Sequence, residues 1–279
     1  MSRARPAAPD VRVRRWTSGK WSEAPDAVVM EEPLQLLLDG QELSVVMRTP
    51  GNDIELALGL LYAENVIRSV QDVKLVRISA ESGEHEAAIK FDAGVVESNV
   101  VDVHLAAPPE RRPQRSMLAS SACGVCGAVM IEDLRRGLGP LGDGPRVESA
   151  ILPGLVDALR AGQGVFERTG GLHASGLFSA IGELRLVRED VGRHNALDKI
   201  TGRLLLDGKL PASDTVLVAS GRAGYEIVQK SIAAGVPILA AVGAPSSLAV
   251  ALAREFNQTL VGFLRDQRFN VYSAPERLT

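Results

Sequence analysis

Cysteine is scarce in this 279-residue sequence, which holds only Cys123 and Cys126, in Cys123-Gly124-Val125-Cys126-Gly127. Two thiols this close cannot staple a secreted fold, so a disulfide framework is excluded and the pair reads as chemistry or metal binding. Aromatic residues make up 4% of the chain, too few for an aromatic-lined nucleic-acid surface. A net charge of −3 supplies no global attraction to nucleic acid or to an anionic membrane. Long apolar runs are also missing: stretches such as 233–242 contain Gly or Pro and fall short of the roughly 20 residues a membrane helix needs. Arg14-Arg15 lacks the apolar segment that would follow in an export signal, because residues 16–26 are polar and interrupted. The expectation is a cytoplasmic protein with no nucleic-acid or membrane partner.

What is present is ordinary for a folded soluble protein, with 46% hydrophobic and 23% charged residues, and the length suits one large domain or two smaller ones. Arg3, Arg5, Arg12, Arg14 and Arg15 face only Asp10 at the start, so residues 1–25 are expected to form a basic flexible arm. Residues 26–107 read as an α+β domain. Its expected parts are a β-branched strand at 43–48, a turn at 49–53, a helix over 53–68 with apolar residues at helical spacing, and strands at 73–79, 87–91 and 99–106. Residues 108–145 begin proline-broken, carry the cysteine pair and end glycine-rich, so a mobile insertion is expected. From 146 to 279 the pattern is α/β. Helices are expected at 152–161, 193–206, 225–234 and 246–256, and strands at 173–179, 183–188, 215–219, 237–242 and 260–264. The β-α-β rhythm after residue 215 predicts a largely parallel sheet with strands apolar on both faces.

In open α/β sheets ligands sit where strands end and helices begin. That rule selects Ser220-Gly221-Arg222-Ala223-Gly224, Gly243-Ala244-Pro245-Ser246-Ser247, and the segment Gly262-Phe263-Leu264-Arg265-Asp266-Gln267-Arg268. Free backbone N–H groups at helix starts favour an anion. Arg265 and Arg268 can bracket a diphosphate, and Phe263 offers a ring face to a base. Each segment alone is also an ordinary loop.

The cysteine motif has three chemical readings. Sulfur transfer needs an exposed thiolate, and small residues around Cys123 give a partner access to it. A redox pair of thioredoxin type belongs between the first strand and helix of a β-α unit, whereas polar, proline-broken chain precedes Cys123. Structural zinc needs four ligands, and a second pair is missing. His85, His104, His173 and His194 are not at short-range ligand spacing from the cysteines. The run Glu189-Asp190-Val191-Gly192-Arg193-His194-Asn195-Ala196-Leu197-Asp198-Lys199 is either a solvated helix start or a source of cofactor or thiol contacts, through His194 and Asn195.

These segments together resemble one family, the formate dehydrogenase accessory proteins called FdhD, with their NarQ-like members. The resemblance runs from about residue 28 to 273. It is carried by Met47-Arg48-Thr49-Pro50-Gly51, Glu55-Leu56-Ala57, Ser120-Ser121-Ala122-Cys123-Gly124-Val125-Cys126-Gly127, Thr169-Gly170-Gly171-Leu172-His173-Ala174 and the 188–196 run. Further matches are Ser220-Gly221-Arg222, Gln229-Lys230, Ala244-Pro245 and Arg268-Phe269-Asn270-Val271-Tyr272. It implies a sulfurtransferase that takes sulfur from an IscS-like cysteine desulfurase and delivers it to the molybdenum of a bis(molybdopterin guanine dinucleotide) cofactor for formate dehydrogenase. It further implies that Cys123 forms the persulfide, that Cys126 is an auxiliary thiol, and that residues 263–268 contact the cofactor. The C-terminal fold it implies is cytidine-deaminase-like, without zinc. A homodimer is compatible with it. One departure touches the site: Gly224 stands where Ser is frequent. A non-catalytic chaperone that binds and inserts the finished cofactor is the alternative.

Overall fold

The computed structural model describes residues 7–80, 83–87, 99–109 and 138–279. The chain opens with an antiparallel hairpin, β1 (Asp10–Thr17) and β2 (Lys20–Ala27). Part of the expected flexible arm is therefore ordered. Ser18 and Gly19, both with positive φ, make the two-residue turn whose twist suits a hairpin. Arg14 lies over the Trp21 ring, 5.3 Å from its centre. The hairpin leans on the body through Arg168, which donates to the carbonyl of Ala8.

A five-stranded sheet follows, built from β3 (Glu32–Leu38), β4 (Gln41–Arg48), β5 (Val73–Ala80), β6 (Gly83–Ala87) and β7 (Val100–Leu105), in the order β4-β3-β7-β5-β6. Alternation buries Leu34, Leu36, Leu38, Val101, Val103 and Leu105 on one face. Helix α1 (Asp53–Ala63) covers that face with Leu56, Leu60 and Leu61. The helix ends at Ala63 and not at residue 68, because the chain turns through Asn65 at a left-handed φ of 61°.

The second sheet uses β8 (His173–Ser179), β9 (Leu184–Asp190), β10 (Thr215–Ala219), β11 (Ile238–Ala241), β12 (Thr259–Arg265) and β13 (Arg268–Ser273), in the order β13-β12-β11-β10-β8-β9. Its helices are α2 (Leu152–Ala161), α3 (Gly164–Thr169), α4 (Arg193–Leu206), α5 (Tyr225–Ala233) and α6 (Ser247–Glu255). The α/β class holds, but parallel pairing is confined to β10-β11-β12. The β8-β9 and β12-β13 hairpins are antiparallel because a short turn can only return the chain that way, and β8 also runs antiparallel to β10. The central strands are buried on both faces. Val216, Val218, Ile238 and Ala240 point into one core with α2, and Leu217, Ala219, Leu239 and Ala241 into another with α4, α5 and α6. Each fully buried Val, Leu or Ile of this kind is worth roughly 1.5–3 kcal/mol.

The end of the expected mobile insertion is tied down as well. The N–H of Leu141 donates to Phe256, and the Arg277 guanidinium donates to the carbonyls of Gly142 and Asp143. Helix α3, which nothing in its own six residues announces, is capped in tertiary fashion: the Glu189 carboxylate accepts from the N–H groups of Val165 and Phe166 at 3.1 and 2.8 Å.

The two sheets meet through α1 against α4. A Cβ on Gly59 would stand 1.8 Å from the Asp198 carbonyl oxygen, and one on Gly202 would stand 1.9 Å from that of Glu55. The helices touch backbone to backbone, which only glycine permits. Glu55 also accepts two hydrogen bonds from Arg188 of β9, at 2.6 and 2.8 Å.

Candidate functional site

Parallel strands β10, β11 and β12 end at one edge of their sheet, so the segments that follow them are neighbours. Direct bonds hold them together. The Gly243 N–H donates to Gly221 at 3.0 Å, the Ser246 N–H to Ala223 at 3.1 Å, and the Phe263 N–H to Gly243 at 3.1 Å. Gly221, Gly243 and Phe263 therefore form a connected chain of loops. Helices α4, α5 and α6 begin at this edge, and Ser246 caps α6 by accepting from the Ala249 N–H.

Ser220 is committed to the frame, since its hydroxyl accepts from the Ala174 N–H at 2.8 Å and locks the loop to β8. Arg222 is exposed and Ala244 half-buried. Phe263 has a left-handed φ of 53°, an outlier for a bulky residue, at a break in the β12-β13 pairing. The Leu264 side chain is fully buried in the core, which leaves it only backbone to offer a ligand. Residues 265–268 are not an open loop but the tip of the β12-β13 hairpin. Arg265 pairs with Arg268 across a turn made by Asp266 and Gln267, both at positive φ, and all four are exposed. The turn holds the two guanidinium-bearing residues directly opposite each other. Cys123 and Cys126 lie outside the described residues.

The 188–199 run resolves into two different roles. Asp190 is fully buried at the end of β9, and its carboxylate accepts from the N–H groups of Thr49 and Gly192 and from the Asn195 amide, at 3.2, 2.9 and 2.9 Å. Lys199 completes the set, 2.7 Å from Asp190, and donates to the Thr49 carbonyl at 2.9 Å. Asn195 also donates to Met47 at 2.8 Å. Asn195 and Lys199 thus join the two sheets by tying the Met47–Thr49 segment to α4, and neither is free to reach a ligand.

His194 turns the other way, toward α5. Its Nε2 lies 3.2 Å from Glu226 Oε2, without the alignment of a hydrogen bond, and Glu226 Oε2 has no other partner among the described residues. Burial, and then the positive charge of Arg193, Lys230 and the nearby His173, push the His194 pKa down to about 3. Burial pushes the Glu226 carboxyl up to about 7, against the opposing pull of Lys230. The contact is therefore a neutral imidazole beside a carboxyl that holds its proton into the neutral range, and not an ion pair.

One turn further, Lys230 and Asp198 form a buried ion pair at 2.7 and 2.8 Å. Burial opposes the charge on Lys230, but Asp198, Glu226 and Glu64 outweigh it and raise its pKa. Burial lifts Asp198 to about 6, so both partners are charged at neutral pH. Sequence reading missed Glu226, Lys230 and Asp198 as a cluster. Glu226 and Lys230 stand four apart, which on one helix looks like a solvated pair.

Comparison with known proteins agrees with the architecture. The FdhD/NarQ family model matches residues 29–279. A sulfur carrier protein FdhD from Mycolicibacterium paratuberculosis is 45% identical over 272 residues, covering 96% of this chain and 97% of its own. One from Sulfurisphaera tokodaii is 44% identical over 256 residues, covering 91% and 92%. A crystal structure of a protein described as a formate dehydrogenase accessory protein, from Desulfotalea psychrophila, shares the fold with a TM-score of 0.75 at 24% identity, over 98% of this chain and 100% of that one. With a family model over nearly its whole length and relatives this similar across their own length, the chain belongs to the FdhD/NarQ family.

Proposed function

We propose that this chain is a sulfur carrier that takes persulfide sulfur from an IscS-like cysteine desulfurase onto Cys123 and passes it to a bis(molybdopterin guanine dinucleotide) cofactor destined for formate dehydrogenase. Uptake is thiol–persulfide exchange. The Cys123 thiolate attacks the outer sulfur of the donor persulfide, a new S–S bond forms, and the desulfurase thiolate leaves. Cys126 serves as an auxiliary thiol. The acceptor cofactor binds at the sheet edge, with its phosphates near the Ser220–Arg222 and Gly243–Pro245 loops and the Arg265/Arg268 hairpin tip.

The observation that supports this reading best is the bonded row of loops from Gly221 through Gly243 to Phe263, where three helices start, in a chain of this family. Backbone N–H groups and helix dipoles there suit an anionic ligand. The names of the curated relatives support the sulfur-carrying half of the proposal.

Incubation with desulfurase and cysteine is expected to add one sulfur atom to Cys123, seen by mass spectrometry, and Cys123→Ser should abolish both the adduct and activation of formate dehydrogenase. Arg265→Ala with Arg268→Ala should weaken GDP about tenfold or more, since each charge-assisted phosphate contact is worth roughly 1.5–3 kcal/mol. The same double variant should still accept sulfur. Full activation of formate dehydrogenase by Cys123→Ser would leave the non-catalytic chaperone as the better reading.

A further inference from the structure

The Glu226–His194 contact belongs to neither the frame nor the loop row, yet it sits between them. Glu226 occupies the first turn of α5, directly after the Ser220–Gly224 segment. His194 occupies the first turn of α4, next to Arg193. A Cβ on Gly221 would stand 3.5 Å from both Arg193 Cδ and His173 Nδ1, so these side chains line the path from the loop to the pair. Two buried atoms here lack a hydrogen-bond partner among the described residues, Glu226 Oε2 and Arg193 Nε. Unmet buried groups carry a large desolvation cost and point to a species that completes them.

We propose that Glu226 and His194 form a proton store coupled to the sheet edge, so that a phosphate group bound at the Gly221 loop draws one proton onto Glu226. The inference rests on the anion-binding reading of that edge. The groups facing the pair are Lys230 from α5, Arg193 and Asp198 from α4, Glu64 at the end of α1, and His173 from β8. Lys230, paired with Asp198 at 2.7 Å, exerts the larger pull on Glu226, and Arg193 adds a smaller one while also bordering the Gly221 loop. A phosphate that engages Arg193 withdraws that positive charge from Glu226 and adds negative charge beside it. Both changes favour the neutral carboxyl. His194 is held neutral by its burial and cationic neighbours, with its Nε2 3.2 Å from Glu226 Oε2, and a realignment of the two side chains would let it accept from the protonated carboxyl.

The test is calorimetry of GDP binding to the full chain from pH 6 to 8.5, in buffers of different ionisation enthalpy. Proton uptake is expected above pH 7 and should fade toward pH 6, where Glu226 already carries its proton. Affinity should fall as pH rises through 7, by up to about tenfold per pH unit, the limit for one linked proton. Glu226→Gln, which imitates the protonated carboxyl, should bind GDP with little dependence on pH between 7 and 8.5. The nucleotide's own phosphate titrates near pH 6, about as a phosphate monoester does, and is common to both proteins. GDP binding by the parent without proton uptake at pH 7.5 would overturn the inference and leave the anion-binding edge standing. Uptake retained in Glu226→Gln would place the proton on another group and likewise overturn it. No GDP binding at any pH would remove the edge reading and the inference together.

Discussion

Helix α4 carries two buried polar clusters within a few residues, and they are built in opposite ways. In the first, each Asp190 oxygen has two partners, supplied by Thr49, Gly192, Asn195 and Lys199. In the second, His194 and Glu226 lie 3.2 Å apart with Glu226 Oε2 unpaired among the described residues. A saturated cluster is a joint, since every lone pair is used and any exchange of partners costs a buried hydrogen bond. An unsaturated one keeps the capacity to take a proton or answer a ligand. Satisfaction, more than burial or charge, separates the structural half of this motif from the responsive half.

The joint can be broken from its cationic side. Lys199→Met leaves the Asp190 carboxylate buried without its counter-ion, and the expected cost is about 3–5 kcal/mol in urea unfolding. A loss under about 1 kcal/mol would mean that the two sheets are held chiefly elsewhere. Next in size is Gly59→Ala, which forces a methyl into the Asp198 carbonyl and separates α1 from α4. Overpacking of this kind typically costs about 1–3 kcal/mol, and a thermal melt should show it even though no polar contact is removed.

The responsive cluster should show the reverse sign. The folded Glu226 pKa, about 7, lies above its ordinary value of 4.5, so the parent loses stability as pH rises from about 4.5 through 7. Glu226→Gln does not bear that cost, and at pH 8 it should match or exceed the parent by on the order of 1–3 kcal/mol. At pH 4 the advantage should vanish, and denaturation at both pH values measures it. The smallest effect is expected at Gly224, the N-cap of α5, which has no side-chain cap, an extended backbone and open space where a Cβ would go. Gly224→Ser should add a few tenths of a kcal/mol, detectable as a small rise in Tm. It would also test whether a hydroxyl at this position acts as a helix cap.

Local pattern made much of the second sheet legible. Helix α2 runs over Leu152–Ala161, α4 over Arg193–Leu206 and β10 over Thr215–Ala219, the spans that periodicity alone predicts. Strand β13 was not legible, because only Ser273 of Arg268–Ser273 is buried and the strand lacks a buried run. Neither was the β1-β2 hairpin, whose residues are nearly all exposed, with Trp16 and Trp21 at 59% and 62%. Hydrophobic patterning reports burial, and these strands bury little.

For the candidate site, the glycine-rich strand-to-helix junctions at Ser220–Arg222 and Gly243–Pro245 follow from sequence, because turn chemistry and helix starts are encoded within a few residues. Family membership is encoded there as well. The division of labour along residues 188–199 is not. Asp190, Asn195 and Lys199 became a joint, and His194 with Glu226 an open pair, only when β4, β9, α1, α4 and α5 were brought together. Side chains of the same type, one or four residues apart, acquire opposite roles because a buried polar group is defined by its partners, and those partners lie up to 150 residues away along the chain.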